Sequence, residues 1–267
     1  MAVGIFGTEC HRTLSATQDA VDYLVAAGGE SGLRIQLFGF VVKRVVAHPT
    51  NTSLPLCNSV SNMSSDHYFS ETPDSQYKPK EIQVVIDGKT VVVTTAGGIF
   101  SPDHIDQGTG VLLNHLDEVP PSGNILDIGC GWGPIALSLA SRAPQATIWA
   151  IDVNQRSLDL TAANAKRLGL TNIKTAKPDE VPADISFSAI WSNPPIRVGK
   201  DVLHEILLTW LPRLSIDAES YLVVQKNLGA DSLSRWLETA LGDGFSVIRV
   251  ETAKGFRVLR VKNRADH

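Results

Sequence analysis

Cysteine is scarce in this 267-residue chain: Cys10, Cys57 and Cys130 stand apart, with no C-x-x-C pair among them. That spacing argues against a zinc cluster and a disulfide framework and fits a reducing compartment. Long apolar runs are missing too. A membrane helix needs ~20 such residues in a row, whereas the early run "LFGFVV" is cut off by Lys43 and Arg44. Met1 is not followed by a basic segment and a long apolar core, so no secretion signal is evident. Positive charge is not in excess: Lys and Arg total 24 against 28 Asp and Glu, a net charge of −4. That excludes a generally basic nucleic-acid coat and leaves room only for a local basic face. His104, His115 and His204 lack the spacing of metal ligands. The expectation is a cytoplasmic protein, monomeric, with no membrane segment and no metal.

What remains is ordinary globular material, 43% hydrophobic and 19% charged, enough for a core of its own. Residues 1–62 differ from the rest. One short helical and one strand-like stretch have no partners of matching pattern, and "AHPTNTSLPLCNSVSNMSSD" reads as a polar linker. They are expected to be a disordered tail or a misassigned upstream extension, with a small accessory domain as the alternative. "MSSDHYFS", from Met63, reads as a natural beginning of a domain over 63–267.

From there the pattern is regular. Two β-rich runs in 81–98 flank Asp87-Gly88, a hairpin signal. "GIFSPDHIDQGTGVLLNHL" leads into a helix and "PPSG" breaks it. Between 100 and 263 strands then alternate with helices: "NILDIG", "ATIWAID", "NIKTA", "ISFSAIWS" and "SYLVVQK" are the strands, and "FSVIRVETAKGFRVLRVKN" closes as two more. The alternation predicts an α/β fold: a seven-stranded, mostly parallel sheet with helices on both faces, an antiparallel C-terminal hairpin and an N-terminal β-hairpin. Ligands in such sheets bind at the carboxyl ends of the strands, so the loops after "NILDIG", "ATIWAID" and "ISFSAIWS" are the ones to read.

The first of these is "LDIGCGWGP". Gly129, Gly131 and Gly133 let the backbone approach a ligand, and Pro134 suits the first turn of a helix. A glycine-rich turn of no special purpose is the bland alternative; the strand before and the helix after favour a site. The second loop, "IDVN", places Asp152 roughly 20 residues further on, where a carboxylate accepts hydrogen bonds from both ribose hydroxyls. Capping the next helix is its alternative role, one that Asn154 serves equally well. The glycine pattern is not G-x-G-x-x-G, and Asp127 stands two residues before its first glycine. A carboxylate there repels a pyrophosphate and suits a cation. S-adenosylmethionine carries an ammonium and a sulfonium and no phosphate.

At these residues the chain resembles the class I S-adenosylmethionine-dependent methyltransferases, with their Rossmann-like sheet. The resemblance implies that Asp127 and the glycines lie along the methionine part of S-adenosylmethionine, that Asp152 takes the ribose, and that Asp179, in "AKPDEVPAD", meets the adenine. The third loop, "WSNPPIRVGK", then gains a purpose. The lone pair of an exocyclic amine is delocalised into its ring, so the nitrogen must be held and aimed. The Asn193 carboxamide oxygen and the Pro194 carbonyl are two acceptors, and Pro194 and Pro195 keep both from wandering. A plain strand-ending turn, with Asn193 capping the next helix, is the alternative in isolation.

Ile196 follows the motif where enzymes acting on adenine N6 or protein glutamine have an aromatic. With "GIFSPDHIDQGTG", "VVQKNLGADSL" and "GFRVLRVKN", the chain over about residues 66–263 resembles the ribosomal RNA small-subunit methyltransferase C family, which methylates guanine N2. By that resemblance Phe100 stacks on cofactor or target base, core packing being an equal alternative. Asp106, Gly108 and Thr109 line the cofactor entrance, and Arg197 and Lys200 meet RNA phosphates or else simply begin a solvated helix. Lys226 is open in the same way. The segment 249–264 carries a formal +5 and is expected to touch RNA, although a charged edge also deters aggregation. Cys130 is expected to be buried and not a nucleophile. The function expected is methylation of a guanine in ribosomal RNA or the small ribosomal subunit. Another RNA, a small molecule or a protein amide are alternative substrates, and a silent assembly factor is the non-enzymatic alternative. A nicotinamide oxidoreductase lacks the usual phosphate loop and leaves "NPP" unexplained.

Overall fold

A computed structural model describes residues 77–195 and 198–264. The expectations for residues 1–62, Ile196 and Arg197 lie outside the described residues. The chain begins with a two-stranded antiparallel hairpin, β1 (Lys80–Ile86) and β2 (Lys89–Thr95). Asp87 and Gly88 between them take φ of 44° and 75°, the left-handed pair that a two-residue hairpin turn requires. A short helix, α1 (Gln107–Leu112), follows and continues as a 3₁₀ turn over Leu113–Glu118. The alternating part comes next: β3 (Ser122–Ile128), α2 (Pro134–Arg142), β4 (Gln145–Ile151), α3 (Gln155–Arg167), β5 (Ile173–Ala176), β6 (Phe187–Ser192), α4 (Lys200–Trp210), β7 (Leu214–Gln225), α5 (Ala230–Leu241), β8 (Phe245–Ala253) and β9 (Phe256–Asn263).

The seven-stranded sheet has the order β5-β4-β3-β6-β7-β9-β8. β3 pairs in parallel with both β4 and β6. The chain therefore winds outward in one direction to β5, then returns to the other side of β3. The change of direction opens a crevice at the carboxyl ends of β3, β4 and β6. Both sheet faces are covered. One packs Leu126, Ile151, Phe187, Ile190 and Leu222 against Leu203, Leu207 and Trp210 of α4 and Leu233 and Leu237 of α5. The other packs Ile125, Ile148, Trp191 and Val223 against Ile135 and Leu139 of α2 and Val111 and Leu112 of α1. Burying each of these large apolar side chains is worth ~1.5–3 kcal/mol, and their alternation along the strands explains why the sheet is a central layer.

The β1–β2 hairpin has its own apolar seam. Val84, Ile86 and Val93 pack with Ile99, Trp132, Leu137, Leu160 and Ala165, so the hairpin lies over α2 and α3. Buried Asn164 bonds it there: its Oδ1 accepts from Thr94 N at 2.7 Å, and its Nδ2 donates to Thr94 O at 2.9 Å and Trp132 O at 3.0 Å.

The C-terminal hairpin forms the antiparallel edge expected of it. β8 is outermost, and β9 pairs antiparallel with β7 on one side and β8 on the other. Inside the sheet its cations meet acids from neighbouring elements, which a charge sum over 249–264 leaves out. Arg257, buried, pairs with Asp231 of α5, Arg260 with Glu219 at 3.6 Å, and Lys262 with Asp217 and Glu219, each at 3.9 Å. Arg249, Lys254 and Arg264 form no ion pair among the described residues.

Candidate active site

β3 ends at Ile128, and the backbone then folds over the end of β4. Gly129 N and Cys130 N both donate to Ile151 O, at 2.9 and 3.0 Å. Gly133 takes φ of 101° and starts α2, with Pro134 in its first turn. A Cβ at Gly129 or Gly131 would have no atom within 4 Å, so these two glycines leave open space above the loop.

Asp127 lies beneath that loop, fully buried. Its Oδ2 accepts from Ala136 N at 3.0 Å, while Oδ1 has no partner. Burial pushes this carboxyl up to about 8; the Ala136 N–H opposes the shift and the nearby Asp152 charge adds to it. Asp152 caps the other side of the loop, its Oδ2 accepting from Gly131 N at 3.0 Å and its Oδ1 from Asn154 N at 2.9 Å. Burial raises its pKa as well, against the Asn154 and Gly131 N–H groups. The cap of α3 is Asn154, which accepts from Arg156 N at 3.0 Å, so Asp152 is not needed for that purpose.

β6 ends beside β3, where the Ser192 hydroxyl donates to Ile128 O at 2.8 Å. The next residue, Asn193, turns its side chain toward α1. Its Nδ2 donates to Asp106 Oδ2 and to Thr109 Oγ1, both at 3.0 Å. Asp106 is the N-cap of α1: the same Oδ2 accepts from Gly108 N at 2.8 Å and Thr109 N at 3.3 Å. Gly108 is required by close approach, since a Cβ there would sit 2.7 Å from the Phe256 ring at the start of β9. Pro194, behind Asn193, is buried.

These groups enclose a narrow cleft. Asn193, Asp106 and Thr109 form one side, Gly129, Gly131 and Pro134 the other, and Phe100, 50% exposed, stands among the lining residues. Three separate segments expected to act together (100–109, 127–134 and 193–195) therefore meet. Of the other expected residues, Asp127 and Asp152 hold the glycine loop and the start of α2 without lining the cleft themselves, and two more lie apart. Asp179 is exposed on the single turn Pro178–Glu180, and Lys200 is exposed at the start of α4; neither lines the cleft. Lys226 is exposed after β7. Buried Cys130 has its thiol pushed up well above the usual range by burial, with Asp152 and Asp127 adding to it, so it is a poor nucleophile.

Sequence reasoning missed Trp132. It lies inside the glycine loop, is buried, and its Nε1 donates to Ser101 O at 3.1 Å. Together with Asn154 Nδ2 to Gly98 O at 3.0 Å and Arg156 to Gly97 O at 2.6 Å, it fastens residues 97–101 over the cofactor-side loops. A large aromatic among glycines was the available signal: such a ring needs an apolar cover, and "GGIF" supplies it.

Comparison with known proteins places the chain in a family and a fold. The family model described as "Methyltransferase small domain" matches residues 90–260. A Bacillus subtilis relative, "Uncharacterized protein YbxB", is 38% identical over 201 residues, covering 74% of this chain and 98% of its own. The "Ribosomal RNA small subunit methyltransferase C" of Pseudomonas entomophila is 33% identical over 180 residues, covering 65% of this chain and 51% of its own. The chain thus spans nearly all of the former and about half of the latter. Among solved structures, the Thermus thermophilus 16S rRNA N2 G1207 methyltransferase (RsmC) in complex with AdoMet and guanosine superposes with a TM-score of 0.60. It is 22% identical, over 70% of this chain and 51% of that one, a likeness of fold.

Proposed function

The chain belongs to the methyltransferase small-domain family, and on that premise we propose that it moves a methyl group from S-adenosylmethionine to the exocyclic N2 amine of a guanine in small-subunit ribosomal RNA. The observation that carries this reading is the Asn193 amide. Both of its N–H hydrogens are engaged within the protein, its oxygen makes no hydrogen bond among the described residues, and the residue lines a glycine-bordered cleft.

The residues fit the donor. Asp127 holds a buried carboxyl oxygen with no hydrogen-bond partner beneath the glycine loop, and a cation nearby would favour its ionised form. A pyrophosphate in the same place would meet the two acid groups Asp127 and Asp152 and, among the described residues lining the cleft, no Lys or Arg. The open space over Gly129 and Gly131 suits the methionine portion, and Asp152 the ribose. When bound, the sulfonium supplies an electrophilic methyl group whose C–S bond breaks as the C–N bond forms.

The protein's part is orientation. Asn193 Oδ1 and the Pro194 carbonyl accept the two N–H hydrogens of the incoming amine, which turns the nitrogen lone pair toward the methyl group. The amine's surplus proton leaves to water after transfer, so no general base is needed. Phe100 offers an exposed ring on which a base drawn out of a single-stranded region can stack. Asp106 also borders a broader hollow lined by Val85, His104, Gln107 and Lys254. Lys254, with no ion pair among the described residues, suits the phosphate next to that base.

The test is transfer of labelled methyl from S-adenosylmethionine to small-subunit RNA, followed by mass mapping of the nucleosides. N2-methylguanosine at one position is expected. A methylated adenine, a methylated protein amide or a labelled small molecule instead would replace the substrate assigned here.

A further inference from the structure

We propose that Asp106 and Thr109 act as positioning residues for the transfer, by deciding which heteroatom of the Asn193 amide faces the substrate. The inference rests on the reading of Asn193 as an acceptor and changes the part expected of Asp106 and Thr109, from lining the cofactor entrance to orienting the catalytic amide.

A carboxamide is nearly symmetric in shape, and its terminal torsion is broad. Turned one way, Asn193 offers the cleft an oxygen; turned the other way, it offers an N–H pair that would oppose the N–H groups of an amine. Asp106 removes the ambiguity. A carboxylate only accepts hydrogen bonds, so the atom 3.0 Å from its Oδ2 has to be Nδ2. Thr109 Oγ1 takes the second hydrogen at 3.0 Å. With both N–H bonds engaged, Nδ2 has nothing left to give, and Oδ1 makes no hydrogen bond among the described residues. Asn193 can meet a ligand only as an acceptor.

The two residues are themselves held in place. Thr109 is 3% exposed in α1. Asp106 Oδ2 is tied down by two backbone N–H groups as well as by Asn193. The negative charge also strengthens the bond from Nδ2 and polarises the amide toward its oxygen, the atom that must accept. A segment 84 to 87 residues away in the chain thus sets the polarity of the residue at the end of β6.

The experiment measures kcat with small-subunit RNA, the dissociation constant of S-adenosylmethionine by calorimetry, and hydrogen exchange of the Asn193 side-chain amide by ¹⁵N NMR. Thr109→Val removes an acceptor without changing shape and is expected to lower kcat on the order of 10- to 100-fold. Thr109→Ser and Asp106→Asn each keep an oxygen in the same place and should stay within about threefold of the parent, whereas Asp106→Ala should not. Cofactor affinity should stay within about twofold in Thr109→Val. In an Asn193→Ala background, Thr109→Val should lower kcat no further. The amide hydrogens of Asn193 should exchange slowly in the parent and quickly in Thr109→Val.

Full additivity with Asn193→Ala would overturn the proposal in favour of a purely structural role. So would equal loss of cofactor affinity in Asp106→Asn and Asp106→Ala, which would make Asp106 a ligand of the cofactor's cation. If the parent methylates a different amine, the guanine reading fails and the same kcat series on that amine decides the present one. If it methylates no RNA, the NMR exchange decides alone: indistinguishable rates in parent and Thr109→Val would sink the inference.

Discussion

The floor of the cleft, at the ends of β3, β4 and β6, is fixed by parallel strand pairing. Its wall, residues 97–109, joins no strand of that sheet and is held by side chains: Asn154 and Arg156 of the α3 start, Trp132 of the glycine loop, Asn164 of α3 just behind and Asn193. Each region carries a carboxylate, and the two are in opposite states. Asp127 in the floor is buried with one oxygen unmatched; Asp106 in the wall is half-exposed and draws three N–H groups to one oxygen. A backbone ladder can keep an unfavourable buried acid in place. A wall built from side chains depends on its own hydrogen bonds to hold it.

Breaking the contrast at its joint has the largest expected effect. Asn193→Ala removes the residue whose side chain joins the end of β6 to α1, and turnover should fall on the order of 10²- to 10³-fold, as when one oriented hydrogen-bond partner of a reacting group is lost. Cofactor affinity measured by calorimetry should hardly change, and unaltered turnover would refute the acceptor role. Next comes the wall's anchorage. Asn164→Ala leaves Thr94 N, Thr94 O and Trp132 O without their partner, at a cost of about 2–3 kcal/mol in denaturant unfolding. A change no larger than that of an average surface substitution would show the hairpin to be held by its apolar seam alone.

The floor is probed through Asp127→Asn, which keeps the shape and removes the ability to ionise beside a bound cation. Affinity for S-adenosylmethionine should drop about tenfold, or ~1.4 kcal/mol. Stability should move the other way. The folded-state pKa is raised from 3.8 to about 8, so the folded protein retains a proton that the unfolded chain loses. Stability therefore falls as pH rises between about 4 and 8, by up to ~1.4 kcal/mol per pH unit from this group, and levels off above. Asp127→Asn should reduce that slope, and unfolding midpoints across the range provide the check; an unchanged slope would contradict the burial argument. The smallest effect is expected of Trp132→Phe, which keeps the buried ring and loses only the bond to Ser101 O, about 1 kcal/mol by thermal unfolding.

Most of the floor was legible in the sequence. The alternation of apolar strands with amphipathic helices follows from each residue's own periodicity. Asp87-Gly88 marked its turn because few residues accept positive φ. "LDIGCGWGP", "IDVN" and "NPP" each sit where a strand ends, so topology alone brings them together. The wall was less legible. That Asp106 and Thr109 bond to Asn193 depends on how α1 lies against the crevice, and no local pattern encodes an approach between segments more than 80 residues apart. Trp132 looked like a spacer between glycines until the cover over it was visible. The formal +5 of the C-terminal hairpin left out the partners of three of its cations, Asp217, Glu219 and Asp231, because they lie outside the hairpin.

The interior place of β9 has a consequence for biosynthesis. β8 is translated before β9 yet borders only β9 in the sheet, and β9 is also the outer neighbour of β7. Until residues 256–263 have emerged from the ribosome, β7 offers a bare hydrogen-bonding edge and β8 lacks its strand partner. Closure of the sheet is therefore deferred to the end of this domain's synthesis, and a nascent chain halted ahead of Phe256 should depend on chaperones to stay soluble.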